Sequence, residues 1–189
     1  LGAGIPTVVT IQMVQTLVAP HLDRRSLAAR FLVNQMLTRS ARNATLLTTV
    51  SEGTRQEIIT RLGIAEDHVT TIHHGGAGAQ FRPHQPASHP LDGYSVSGPY
   101  ILSISSVYAY KNYCRLLEGY ATLRRESGIR ESLVIVGKVI DRSYYQEMMD
   151  LTDRLGLTDS IIHIDGLPYE SLPDVYAGAS AYVFPSVFE

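Results

Sequence analysis

The sequence predicts an α/β protein with two doubly wound, parallel-sheet domains, and three observations carry that expectation. Short apolar runs alternate with helix-length segments along the chain, which implies right-handed crossovers between parallel strands. The alternation stops over residues 83–98, a stretch rich in Pro, Ser and Gly without an apolar period, and then restarts. A length of 189 residues with 44% hydrophobic content suffices for two small cores. Residues 1–82 are therefore assigned to a first Rossmann-like domain, 83–98 to a linker and 99–189 to a second Rossmann-like domain.

In the first domain TVVTIQM (7–13) reads as a strand, 26–44 as a helix and TLLTTV (45–50) as the next strand. The segment 51–63 is a helix with both ends marked, Ser51 capping free amides and Gly63 supplying a left-handed closing residue. HVTTIHHG (68–75) is a strand. In the second domain PYILSISS is a strand, 111–128 a helix ending on Gly128, SLVIVGK a strand and 143–156 a helix ending on Gly156. IIHIDG, YESLPDVYAGA and AYVFP follow as strand, short helix and strand. The run 181–184 is continuously apolar, the pattern of a strand buried on both faces. No helix follows it and the chain opens on Leu1, so the 189 residues read as an internal piece of a longer chain, with both domains incomplete.

A net charge of −2 offers no global field for nucleic acid, and none is expected as a partner. The single cysteine, Cys114, excludes an intrachain disulfide and makes a reducing, cytoplasmic compartment the default. No apolar run reaches the roughly 20 residues of a membrane span. His73 and His74 are adjacent on a strand and point to opposite faces, so no metal-ligand cluster is expected. Arg24, Arg25, Arg30, Arg39 and Arg42 lie in a stretch without acidic residues. Two readings stand for that helix: a solvated basic face, or a peripheral contact with anionic lipid or a lipid-linked acceptor.

Ligands of open parallel sheets bind beyond the carboxyl ends of the strands, so the strand-to-helix turns are where function is sought. The turn SISSVYAYKN (103–112) places Ser105, Ser106, Lys111 and Asn112 where backbone amides and the helix dipole favour an anion. Lys111 there either holds a phosphate or is a solvated first-turn cation. Gly137 and Lys138 follow the next strand, where a glycine admits a ligand close to the backbone or simply turns the chain. Gly166 and Leu167 offer backbone to a flat base, and Glu189 is either an acceptor for a sugar hydroxyl or an acid that complements a helix start.

The stretches YILSISSVYAYKN, LVIVGK, IIHIDGLPYESLPDVYAGASAYVFPSVFE and TVSEGTRQEIITRLGIAEDHVTTIHHGGAGAQFRP, in this order and spacing, resemble the retaining GT-B glycosyltransferases of the family 4 type. The resemblance implies transfer of a sugar from a nucleotide-diphosphate sugar, with retention and without metal or other cofactor, to a glycan or lipid-linked acceptor. It places the donor mainly on the second domain and the acceptor on the first, with the reaction between them, in polysaccharide biosynthesis; with the cytoplasmic default and the lipid-contact reading of the arginine helix, the expected location is the cytoplasm, at the inner face of the membrane where that helix contacts lipid. Lys111 and Glu189 would be catalytic, Lys111 neutralising the diphosphate and Glu189, the first residue of an E-x7-E motif, lying near the donor sugar. Ser105, Ser106, Asn112, Gly137 and Lys138 would border the diphosphate or ribose, and Gly166 and Leu167 the base. Gln12 stands where the family often has a histidine facing the sugar, and Tyr108 and Tyr110 occupy the neighbourhood of an arginine common ahead of the lysine. These departures and the missing parts imply that the isolated piece is inactive. A sugar-nucleotide epimerase and a non-catalytic nucleotide-binding module on the same fold remain alternatives.

Overall fold

A computed structural model describes residues 5–188. The chain divides into two compact units, one running through Gly76 and the other covering Ala77–Val187.

The first unit contains β1 (Val8–Ile11), α1 (Gln15–Val18), α2 (Leu27–Asn43), β2 (Leu46–Thr49), α3 (Glu52–Leu62) and β3 (Val69–Thr71). Its strands are parallel in the order β1-β2-β3, with Val8 opposite Leu46 and Leu47 opposite Val69. Ile11, Val14, Ala41, Leu47, Ile58, Leu62 and Val69 form the core. The starts of α2 and α3 are side-chain capped: Ala29 N donates to Ser26 Oγ at 3.2 Å and Thr54 N to Ser51 Oγ at 3.2 Å. Gly63 closes α3 at φ 63°, as its position implied. β3 is shorter than the expected 68–75 because the chain beyond Thr71 turns out to solvent, leaving His73 and His74 exposed.

The second unit contains β4 (Tyr100–Ile104), α4 (Tyr113–Ser127), β5 (Ser132–Val136), α5 (Arg142–Arg154), β6 (Ile161–Ile164), α6 (Leu172–Ala177) and β7 (Ala181–Tyr182). The strands are parallel in the order β6-β5-β4-β7. Alternate residues of the central strands enter two different cores, which is why those strands are continuously apolar. Ile101, Leu133 and Ile135 pack with Leu117, Tyr120, Tyr144 and Met148 of α4 and α5. Tyr100, Leu102, Val134 and Val136 pack on the other face with Val175 of α6. The stretch 83–98 has no helix or strand, yet it sends Leu91 and Val96 into this second core. The Tyr100 hydroxyl donates to Val175 O at 2.7 Å, and burial pushes its pKa up to about 12.

The final apolar run departs from expectation. Only Ala181 and Tyr182 form a strand, and Tyr182 and Phe184 are 45% and 43% exposed. β7 is an edge strand among the described strands, paired with β4 alone, and the exposure of Tyr182 and Phe184 shows that the run is not buried on both faces.

Candidate active site

The strand order reverses at β4: the chain moves outward through β5 and β6, then returns to place β7 on the other side of β4. That reversal opens a crevice at the carboxyl ends of neighbouring strands. Every described candidate residue of the second unit lies on turns at those ends.

The turns after β4 and β5 are zipped together. Ser105 N donates to Val136 O at 3.0 Å and Val107 N to Lys138 O at 2.8 Å, and Val107 and Val139 form a parallel bridge. This close approach requires glycine at 137. Its φ is +149°, and a Cβ there would stand 2.1 Å from Ser105 O. Gly137 N reaches back to Ile164 O at 2.8 Å, and its carbonyl lies 2.8 Å from His163 Nε2, so one residue joins the ends of β4, β5 and β6. The side chain of Lys138 is exposed.

Ser105 is engaged inside its own turn. Its Oγ shares a hydrogen with the Tyr113 hydroxyl at 2.7 Å, and Tyr113 also donates to Ser105 O at 3.1 Å. Tyr113 is fully buried, and burial raises its phenol pKa despite these bonds. The carbonyl of Ser106 accepts from Ser105 Oγ at 3.3 Å.

Lys111 ends a 3-10 turn, Ala109–Lys111, and is only 9% exposed. The solvated alternative for Lys111 is therefore removed. Its ammonium sits 4.8 Å from the Phe184 ring centroid and 5.1 Å from that of Tyr110, a cation-π enclosure that orients the charge. Tyr110 in turn stacks on Tyr108 at 5.2 Å. Asn112 follows in the left-handed conformation, φ 62° and ψ 34°, and α4 starts directly after it.

At the end of β6, Gly166 has nothing within 4 Å of a notional Cβ, so no neighbour in this unit demands glycine there. Leu167 is partly buried and turns its side chain to the Leu91 and Val175 core, which leaves backbone rather than side chain as what it can offer a ligand. In the first unit Gln12 is exposed just past β1, and its carbonyl accepts from Thr54 Oγ1 at 3.4 Å. Nearby, Thr71 Oγ1 donates to Glu52 Oε2 at 3.0 Å. Hydrogen bonds from Gln56, Arg55 and Thr71 hold the Glu52 carboxyl below the usual range. Glu189 lies outside the described residues.

Two contributors escaped the sequence reading. Phe184 meets Lys111 across most of the second unit's sequence, with no local signal to announce it. Tyr113 carries a weak one, an aromatic residue with a polar tip directly after the lysine-asparagine pair.

The family model for glycosyl transferases group 1 matches residues 93–189, more than half of the chain and the whole of this turn set. The chain belongs to the glycosyl transferases group 1 family. Curated relatives in line with this include O-antigen chain mannosyltransferase B of Escherichia coli, 29% identical over 161 residues. Mannosylfructose-phosphate synthase of Agrobacterium fabrum is 26% identical over 138 residues. The match covers 83% of this chain and 41% of the first relative, and 70% and 30% for the second, so the chain spans less than half the length of either. The fold of this group 1 chain is GT-B. It superposes on Anabaena HepE, solved with UDP and glucose, with a TM-score of 0.72 at 16% identity over 94% of this chain and 45% of that one. Sucrose-phosphate synthase of Thermosynechococcus elongatus gives 0.71 at 17% identity, over 96% and 45%.

Proposed function

We propose that this chain is part of a glycosyltransferase that moves a sugar from a nucleotide-diphosphate donor to a glycan or lipid-linked acceptor, with retention and without a metal. The carrying observation is Lys111, a buried ammonium fixed by two aromatic rings at the turn where the parallel sheet reverses. A cation held there meets the diphosphate next to the start of α4. At about 4 Å and an effective dielectric near 20, such a contact contributes roughly 4 kcal/mol before desolvation. It strengthens as the anomeric C–O bond breaks and charge collects on the departing phosphate. The acceptor hydroxyl forms the new bond on the same face, and its proton passes to the departing phosphate oxygen. Gly137 allows the backbone to approach the diphosphate or ribose, Ser105, Ser106, Asn112 and Lys138 border it, and Gly166 and Leu167 offer backbone to the base. Gln12 is assigned a sugar hydroxyl, and Glu189 the donor sugar.

Mannose is the first sugar to test, because two of the similar proteins are a mannosyltransferase and a mannosylfructose-phosphate synthase. The decisive assay uses the full-length enzyme with a panel of nucleotide sugars, reads nucleoside diphosphate release and determines the product anomer by NMR, with and without chelator. Release without an acceptor-linked product, or an inverted anomer, refutes the proposal. The 189 residues alone are expected to lack turnover.

A peripheral membrane contact, in a cytoplasmic enzyme working at the inner face, is favoured by α2. Leu27, Phe31, Leu32 and Met36 stand 80%, 66%, 60% and 61% exposed along it. Exposed Arg24, Arg25, Arg39 and Arg42 flank them, and no acidic residue occurs from Arg24 through Ser51. Arg25 is paired with Asp23 at 2.8 Å; apolar insertion beside a basic stretch is the chemistry that an anionic lipid surface rewards.

A further inference from the structure

Asn112 precedes α4 at the position where an asparagine ordinarily caps a helix, and it does not cap. Its side chain makes no bond to the first amides of α4. Nδ2 instead donates to Pro185 O at 3.1 Å, across 73 residues of sequence. Its backbone is left-handed, one of two such non-glycine residues among those described. The same two turns meet elsewhere: Val187 N donates to Tyr110 O at 2.9 Å, Ser186 Oγ to the same carbonyl at 3.3 Å, and Lys111 lies over Phe184.

We infer that Asn112 is a positioning residue, whose left-handed backbone and side-chain amide hold the Lys111 turn to the Phe184–Val187 segment so that the two act as one donor-binding unit. The inference rests on the reading of Lys111 as the diphosphate cation. A rigid cation accelerates charge departure only if it already stands where the charge will appear, and misplacement by about 1 Å costs up to roughly 100-fold. The turn carrying Lys111 is short, and its ammonium lies 4.8 Å from the Phe184 ring centroid, so the contacts to the 184–187 segment bear on its placement.

The test is a double-mutant cycle in the full-length enzyme, reading kcat, KM, nucleoside diphosphate affinity by calorimetry and melting temperature. Asn112→Gly keeps the left-handed backbone and deletes the amide; Asn112→Asp keeps the shape and replaces the donor with an acceptor. Asn112→Gly is expected to lower kcat about 10- to 100-fold with little change in melting temperature, and Asn112→Asp to lower it further. In a Lys111→Met background Asn112→Gly should weaken diphosphate binding by less than about 2-fold, since it acts through the lysine. Wild-type kcat in Asn112→Gly, or a full additional loss in the Lys111→Met background, overturns the inference while leaving Lys111 in place. Wild-type turnover in Lys111→Met itself overturns both this inference and the reading beneath it.

Discussion

Replacing Gly137 by alanine should break the donor-side turn by steric contact alone. The added Cβ would stand 2.1 Å from Ser105 O, 2.5 Å from Ser105 C and 3.0 Å from Ser106 N, all backbone atoms that cannot rotate away. Separation of the β4 and β5 turns would strain the Ser105–Val136 and Val107–Lys138 hydrogen bonds, while φ +149° is itself disfavoured for any L side chain. Overpacking costs about 1 to 3 kcal/mol and a glycine-only backbone about 1 to 3 more, so the loss is about 2 to 6 kcal/mol. At about 2 to 4 °C per kcal/mol, the melting temperature should fall by at least about 4 °C. Nucleoside diphosphate affinity should fall with it, because the displaced backbone is the turn that leads to Lys111. Gly166→Ala, with nothing within 4 Å of the new methyl, is the control and should stay within about 0.5 kcal/mol in stability. Differential scanning fluorimetry and calorimetric titration on the full-length enzyme decide the matter. Wild-type melting and binding in Gly137→Ala would refute the reasoning.

Lys111→Met should reduce kcat about 10²- to 10³-fold, the cost of a preorganised charge worth about 3 to 4 kcal/mol, and a change confined to KM would mean that the lysine only holds the donor. Methionine is preferred to alanine because the lysine stem is buried between rings, so truncation would mix a packing loss into the result. His84 lies 2.5 Å from Asp174 and 2.9 Å from Arg82 O; first the carbonyl and then the carboxylate raise its pKa above 6.5. The charged contact is therefore complete below pH 6.5 and is lost as pH rises through the folded-state value. The NMR titration midpoint of His84 should fall in Asp174→Asn, and an unchanged midpoint would exclude the pairing. Vesicles with anionic lipid should sediment the full-length protein more than neutral ones, salt should weaken the effect, and Phe31→Gln with Met36→Gln should abolish it. Equal sedimentation with both vesicle types would leave α2 as a solvated face.

Much of this was legible because periodicity and turn chemistry are local. The parallel sheets follow from the alternation of runs, and the ends of α3 from Ser51 and Gly63. The expectation that 181–184 is buried on both faces failed because an apolar run records what a residue type favours, not which neighbours stand beside it. The 83–98 stretch was illegible for a related reason: Leu91 and Val96 enter a core without any periodic pattern around them.

By itself, then, the sequence determined the strand-helix order, the turns on which Lys111, Gly137 and Gly166 stand, and a likeness of motifs that leads to the group 1 family. Those are properties of short segments, set by side-chain spacing and backbone preference. Only the tertiary structure decided that β7 returns beside β4, which brings Phe184 against Lys111 and Pro185 against Asn112. It likewise decided that Gly137 is required because Ser105 O leaves no room for a Cβ. The physical reason is that burial, close approach and hydrogen-bond choice depend on atoms distant in the chain, and no local pattern encodes a contact made across 73 residues.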